Sequence, residues 1–126
     1  MILNKTKKTK IWGRIFELEI VYDCYTGEKV TKEQKQAYKW FCKHPEWIDK
    51  AKTYVEGYCK DAVNNDIENQ KKDNVFSYIK PTEVYINRCE NLVAIMCKYK
   101  YDLEHGLAIV FDHDGNITVG IQDIIL

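Results

Sequence analysis

The densest group of side chains that could do chemistry lies near the C-terminus, in the sequence D-L-E-H-G at positions 102–106. Asp102, Glu104 and His105 are close enough along this stretch for a carboxylate to accept a hydrogen bond from the imidazole. Such a bond favours the charged imidazole and raises its pKa, which suits proton transfer near neutral pH. Candidate catalytic residues are therefore Asp102, Glu104 and His105, and candidate binding residues are Tyr101 and the same three residues.

The same pattern also fits a purely structural turn. In that interpretation Gly106 takes a positive φ and the carboxylates accept hydrogen bonds from loop N–H groups. No nucleophile and no phosphate-binding loop accompanies the group in the sequence. We therefore expect His105 to have a structural role, with a catalytic Glu-His or Asp-His pair as the alternative.

A second acidic stretch, D-H-D-G-N at positions 112–116, raises the question of a metal site. The strand expected between the two stretches, residues 107–111, would hold them roughly 16–20 Å apart at about 3.3 Å per residue, too far to share one ion. The second stretch imitates an EF-hand loop, but Ile117 stands where that loop needs glycine. Asp114-Gly115 instead predicts a hairpin turn, and we expect no metal and no other cofactor.

These turns need strands on both sides, and the C-terminal residues supply them. From Leu92 to Leu126 apolar runs of strand length alternate with the two polar turns, which predicts a three-stranded antiparallel meander. The alternating segment Ile11–Tyr22 predicts one further strand, with a bulge near Gly13. Residues 1–10 are rich in lysine and are interpreted as a basic, flexible N-terminal arm.

Two consecutive helices are expected between the first strand and the meander. Thr31 and Gln34 match a capping box, so the first helix should begin at Thr31. Pro45 separates it from a second helix that extends to about Val63. The order of elements predicts an α+β fold in which both helices pack on one face of a mainly antiparallel sheet.

The remaining stretch connects the helices to the meander. The polar residues 64–74 predict an exposed loop. Pro81 predicts a break, followed by a strand near residues 83–87. No internal repeat suggests a second domain, so we expect one domain over residues 1–126.

The composition is that of an ordinary globular protein. Nineteen basic residues balance 19 acidic ones, so no net charge attracts nucleic acid or anionic lipid. No apolar run approaches the length of a membrane span. We therefore expect neither nucleic acid nor a membrane as a partner, and we expect that any partner is another protein. The sequence does not indicate an oligomeric state.

The C-terminal stretch also carries a family resemblance. Residues 102–111, followed by D-G at 114–115 and V-G at 119–120, resemble an uncharacterised bacterial domain family with a C-terminal W-D-x-E-H-G signature. Trp-Gly at 12–13 resembles an early element of that family, and Tyr101 stands where the family often has tryptophan. The resemblance covers most of the chain but implies no established activity. Small domains of this sort often resemble immunity proteins or accessory modules of bacterial toxin systems.

Two classes of function follow from these observations. The main hypothesis is a small cytoplasmic protein-binding module, of the immunity type in a bacterial toxin system, with aromatic residues and flanking acids as its contact patch. The alternative is a small hydrolase or metal-dependent enzyme centred on Asp102, Glu104 and His105. A pocket converging on His105 would favour the enzyme, and a flat aromatic patch would favour the binding module.

The cysteines lead to the first testable prediction. Their number is five, which is odd, and no two form a C-x-x-C pair, so we expect a reduced protein of the cytoplasm with five free thiols. Alkylation of the denatured protein without reductant, followed by mass spectrometry, should label every cysteine. Fewer than five labelled sites would contradict the expectation.

Overall fold

The computed structural model describes residues 5–23, 29–62, 79–87, 92–100 and 102–125. The described strands are β1 (Lys5–Ile11), β2 (Arg14–Tyr22), β3 (Ile79–Ile86), β4 (Val93–Tyr99), β5 (Leu107–Phe111) and β6 (Ile117–Gly120), and the described helices are α1 (Lys32–Cys42) and α2 (Glu46–Ala62). The strands form one sheet in sequential order, and every neighbouring pair is antiparallel except β2 and β3, which are parallel. The predicted α+β class, with a mostly antiparallel sheet and a C-terminal meander, is confirmed.

Both helices form because their apolar residues recur on one side. In α1 the buried positions are Gln34, Ala37 and Phe41, and in α2 they are Ile48, Ala51, Val55 and Cys59. This spacing of three and four residues places each set along one stripe of its helix. The capping box at Thr31 is confirmed, since its hydroxyl accepts from the Gln34 N–H and the Gln34 side chain accepts from the Thr31 N–H. Neither described helix is long and apolar enough to cross a membrane.

The core lies between the helices and one face of the sheet. Alternate residues of the central strands contribute to it, among them Leu18, Val84, Ile86, Val93, Ile95, Leu107, Ile109 and Phe111. The intervening residues of β4 and β5 are also buried, and they form a smaller cluster on the opposite face with Ile125. Strands β4 and β5 are thus apolar along nearly their whole length because both of their faces are covered.

The N-terminal part of the sheet differs from the expectation. Residues 5–11 are not an arm but the edge strand β1, and the predicted single strand with a bulge is a two-stranded hairpin. Trp12 and Gly13 connect the two strands with φ values of 50° and 86°, which is the backbone that a two-residue hairpin turn requires. Lysines suit this position because charged side chains protect an exposed edge from further pairing.

The hairpin also reaches the helical layer. Strand β2 pairs with β3 only over Glu19–Tyr22, so the other end of the hairpin extends beyond that pairing. The indole N–H of Trp12 donates to the Ile48 carbonyl of α2 over 2.8 Å, and the Lys7 ammonium donates to the Cys42 Sγ of α1 over 3.6 Å.

Two further predictions concern the segment between α2 and β4. The predicted break at Pro81 is wrong, because Pro81 lies inside β3, next to a register shift. The predicted loop 64–74 lies outside the described residues.

A buried glutamine attaches the first helix to the sheet. Gln34 is fully buried, and its side-chain N–H groups donate to the carbonyls of Asp23 and Ile86 over 3.0 and 3.2 Å. These carbonyls lie at the ends of the parallel strands β2 and β3. The same side chain completes the capping box at Thr31, so one residue fixes the start of α1 against two strands.

The second testable prediction concerns this residue. Gln34→Ala should lower the free energy of unfolding by about 1–3 kcal/mol, because it leaves the Asp23 carbonyl and the Thr31 N–H without their side-chain partner. Gln36→Ala is the matched control, since Gln36 is exposed on the same helix. Urea denaturation measures both variants. Equal, small losses would show that the buried hydrogen bonds do not anchor α1.

Candidate functional site

The D-L-E-H-G sequence forms a tight turn between β4 and β5, which we call the DLEHG turn. The carboxylate of Asp102 accepts a hydrogen bond from the His105 backbone N–H at 3.2 Å. Imidazole Nδ1 of His105 lies 3.0 and 3.2 Å from the two oxygens of the same carboxylate. The Gly106 N–H donates to the Asp102 carbonyl over 2.8 Å. The carboxylate–histidine pair that the sequence predicts is therefore present, with Asp102 as the partner of His105.

This pair changes the protonation of the histidine. The hydrogen bond from Nδ1 to Asp102, and then the negative charge of that carboxylate, raise the pKa of His105 above its usual value of 6.5. Glu104 and Asp123 add smaller effects in the same direction. The imidazole is 44% exposed, so solvent weakens these electrostatic effects.

The turn is held against the C-terminal residues. Gly106 has a φ of +64°, and a Cβ at this position would lie 2.6 Å from Gln122 Nε2 and 2.8 Å from the Cys97 carbonyl oxygen. The Gln122 side chain donates to that same carbonyl over 3.1 Å, while the Gln122 backbone N–H donates to the His105 carbonyl. Glycine is therefore needed both for its backbone conformation and for the close approach of Gln122.

The outer surface of the turn combines apolar and acidic groups. Leu103 is 76% exposed and stands between Asp102 and Glu104. The neighbouring single turn of 3₁₀ helix, Gln122–Ile124, adds an exposed isoleucine and an exposed aspartate. Tyr101, the remaining candidate binding residue, lies outside the described residues.

The DLEHG turn contains no metal-binding arrangement. Within the described residues, no three His, Cys, Asp or Glu side chains are grouped closely enough to hold a metal ion. Asp102 is oriented toward His105, and Glu104 acts on that ring only through its charge. The described geometry brings Asp102 and His105 together as a bonded pair and leaves Glu104 exposed beside them.

Two of the described cysteines, Cys59 and Cys97, are poor nucleophiles. Cys42, Cys59 and Cys97 are free thiols, and the last two are buried. Burial raises the pKa of Cys59 to about 11, although a hydrogen bond with Tyr99 opposes this change, and burial also raises the pKa of Cys97. A thiol with a raised pKa is mostly protonated at neutral pH and reacts slowly. Cys24 and Cys89 lie outside the described residues.

The second acidic stretch forms the predicted hairpin turn at the other end of β5. Gly115 has a φ of +83°, and strands β5 and β6 pair on either side. The Asp112 carboxylate accepts hydrogen bonds from the N–H groups of Asp114 and Asn116 and from the Asn116 amide. Burial alone would raise the pKa of Asp112, but these bonds outweigh it and lower the pKa. The Asp112 carboxylate therefore stabilises the hairpin turn by accepting hydrogen bonds from within it.

Sequence reasoning missed an aromatic cluster beside this hairpin turn. Trp40 and Trp47 meet edge to face at 4.5 Å, His44 stacks on Trp47 at 4.3 Å, and His113 lies 6.2 Å from Trp40. Both tryptophans pack against the core but are only partly buried. The signal in the sequence is the spacing of Trp40, His44 and Trp47, four and then three residues apart across the helix break.

An open groove of about 260 Å³ lies next to this cluster. Its lining consists of Glu33, Gln36, Ala37, Trp40 and His113. None of these residues belongs to the DLEHG turn, so this groove does not converge on His105.

The architecture and the bonded turn define a small α+β domain with an Asp-His turn at one end of its sheet. Residues 3–126 match the family model described as a domain of unknown function, DUF6985. The chain therefore belongs to this family, and its resemblance to an uncharacterised domain family is confirmed. No curated protein and no solved structure shows a significant match to the chain.

The third testable prediction concerns the pKa of His105. Asp102→Asn should lower it toward the usual value, because the substitution removes the charge but keeps an oxygen that can accept the backbone N–H. An NMR titration of the imidazole C–H signals measures the change. Glu104→Gln is the control and should lower the pKa less, since Glu104 contributes only through its charge. An unchanged titration in Asp102→Asn would contradict the bonded pair.

The sign of the pH dependence follows from the raised pKa of His105. The stabilisation by the pair is fully present below the pKa of histidine in the unfolded chain and is lost as the pH rises through the folded-state pKa. The difference in melting temperature between the wild type and Asp102→Asn should therefore be largest in mild acid. It should decrease as the pH passes above 6.5, the usual value for histidine.

Proposed function

We propose that this protein is a protein-binding module that contacts its partner through the DLEHG turn. The observation that carries the proposal is that Leu103, a large apolar side chain, is 76% exposed on this turn. An exposed apolar residue with a polar rim is the usual composition of a protein contact. Here the rim consists of Glu104, His105 and Asp123.

The internal bonds of the turn support this proposal. The Asp102–His105 contacts, the Gly106 N–H and the Gln122 bridge fix the backbone before any partner arrives. A preformed contact loop loses less conformational entropy on binding than a flexible one. In this proposal the Asp-His pair orders the turn, and Leu103 and the exposed acids contact the partner.

The alternative function is a small hydrolase or metal-dependent enzyme centred on Asp102, Glu104 and His105. The bonded pair and the raised pKa of His105 favour it, because a carboxylate-oriented imidazole is a common general base. One observation favours binding over catalysis. Burial raises the pKa values of the Cys59 and Cys97 thiols, so neither is an activated nucleophile that could act with His105 at neutral pH.

A more specific form of the proposal concerns cellular context. We propose that the module acts in the bacterial cytoplasm, and that an immunity-type role, in which it blocks a toxin, is one form of its binding activity. The free thiols at Cys42, Cys59 and Cys97 are compatible with a reducing compartment. The immunity-type role is supported only by the family resemblance.

The fourth testable prediction compares two exposed apolar residues. Affinity-tagged wild-type protein and the variant Leu103→Ser are used to capture partners from the source cells, and the binding of each captured protein is then measured by calorimetry. Leu103→Ser should weaken binding roughly tenfold or more, as expected when an apolar anchor is removed from a contact. Its melting temperature should stay unchanged because the side chain is exposed.

Ile15→Ser is the matched control, because Ile15 is 71% exposed but lies on β2, in the N-terminal hairpin. It should bind the partner as the wild type does. Equal affinities for all three proteins would contradict a contact at the DLEHG turn. If His105→Gln abolished a hydrolytic activity while Leu103→Ser left it intact, the enzyme alternative would replace the proposal.

A further inference from the structure

The groove between α1 and the β5–β6 turn combines an aromatic face with a free carboxylate. Trp40 and His113 supply aromatic rings, tilted by 40° to each other, and Glu33 and Gln36 supply polar groups. Within the described residues, the Glu33 carboxylate makes no hydrogen bond or ion pair. We propose that this groove binds the side chain of an arginine in a basic segment of a partner protein.

The open shape of the groove favours a protruding side chain over an enclosed small-molecule ligand. Pockets for drug-sized ligands usually measure about 300–1,000 Å³ and enclose most of the ligand. This groove measures about 260 Å³ and is open to solvent. Its occupant therefore enters from outside as a protruding group, and the rest of that molecule stays at the surface.

The chemistry of the lining selects a cation. The face of an indole attracts a positive charge, and an arginine guanidinium can stack flat on it while it donates two hydrogen bonds to a carboxylate. Trp40 offers the indole, and Glu33 offers the carboxylate two helical turns earlier in the same helix. The Gln36 side chain lies between them along the helix and can accept a further hydrogen bond.

The surrounding charges agree with this selection. Asp112 and Asp114 lie in the turn that carries His113, so the far side of the groove is also acidic. The lysines of α1, Lys32, Lys35 and Lys39, project at least about 100° around the helix axis from Glu33 at 3.6 residues per turn. These lysines are not among the residues that line the groove.

The aromatic cluster holds the groove in shape. Trp40 packs edge to face on Trp47, and Trp47 is stacked between His44 and Phe111, with ring planes 7° and 13° apart. A Cβ at Gly115 would lie 2.8 Å from the Trp47 indole nitrogen, so the hairpin turn packs in close contact with this cluster. The indole of Trp40 is thus supported from behind by the core and remains only partly buried at its outer side.

This inference is independent of the proposed function. The DLEHG turn precedes β5 and the groove-forming turn follows it, so the two surfaces lie at opposite ends of that strand. A variant at one surface should leave the other unchanged. The two proposals can therefore fail separately.

The experiment uses short peptides as probes and NMR spectroscopy of the full chain labelled with ¹⁵N. The probes are acetyl-Gly-Arg-Gly-amide, the same peptide with citrulline, which keeps the shape but removes the charge, and the same peptide with lysine. The arginine peptide should shift the Trp40 indole signal and the His113 amide signal in a saturable way. The citrulline peptide should bind at least fivefold more weakly, and the lysine peptide should bind more weakly than arginine.

Two substitutions of the protein locate the site. Glu33→Gln should lower the affinity for the arginine peptide by about twofold to fivefold, which is the range for the loss of one exposed ion pair. It should not disturb the fold, because Glu33 is exposed and the capping box uses Thr31 and Gln34. Glu17→Gln, an equivalent change at an exposed position of β2 away from both surfaces, is the control and should leave the affinity unchanged.

Several outcomes would overturn the inference. Equal binding of the arginine and citrulline peptides would show that the groove does not recognise charge. Equal binding of arginine and lysine would exclude recognition of a planar guanidinium. Shifts confined to the DLEHG turn would place the basic ligand at the other surface, and the absence of any saturable shift at 10 mM peptide, roughly −3 kcal/mol in affinity, would exclude the site.

Discussion

The position of the helical layer depends on the hydrogen bonds of one buried amide, Gln34. Its side chain donates to the carbonyls of Asp23 and Ile86, at the ends of the parallel strands β2 and β3. The same residue completes the capping box with Thr31 at the start of α1. The connection from β2 to β3 contains both helices, so the place where α1 starts decides where the whole layer lies on the sheet. A buried amide is stable here because each of its polar atoms has a partner.

The first two strands of the meander, β4 and β5, form the most buried part of the sheet. Strands β4 and β5 are buried on both faces, which leaves their connecting turns as the places where polar groups reach solvent. Strand β5 has only five residues, and a polar turn lies at each of its ends. The DLEHG turn presents Leu103 between acids, and the hairpin turn presents His113 beside Trp40. The short strand β5 thus connects two turns that form different surfaces.

The Asp102–His105 pair shows how one arrangement can serve structure and chemistry. The carboxylate accepts from both the backbone N–H and the ring of His105, and this accounts for the order of the turn and for the raised pKa of the imidazole. The result is an ordered acidic turn that presents an exposed leucine, in a chain that belongs to a family of unknown function.

The sequence by itself determined the features that depend on neighbouring residues: the capping box at Thr31, the helix break at Pro45, the meander, the Asp-Gly hairpin and the pairing of His105 with a nearby carboxylate. Each needs only the order of a few adjacent side chains. Tertiary structure decided that lysine-rich residues 5–10 form an edge strand, that Trp12 adopts a positive φ, and that Trp40, Trp47 and His113 meet beside Glu33. These features arise from contacts between residues far apart in the chain, where packing energy outweighs local preference, and hydrophobic periodicity carries no information about which distant segment supplies the contact.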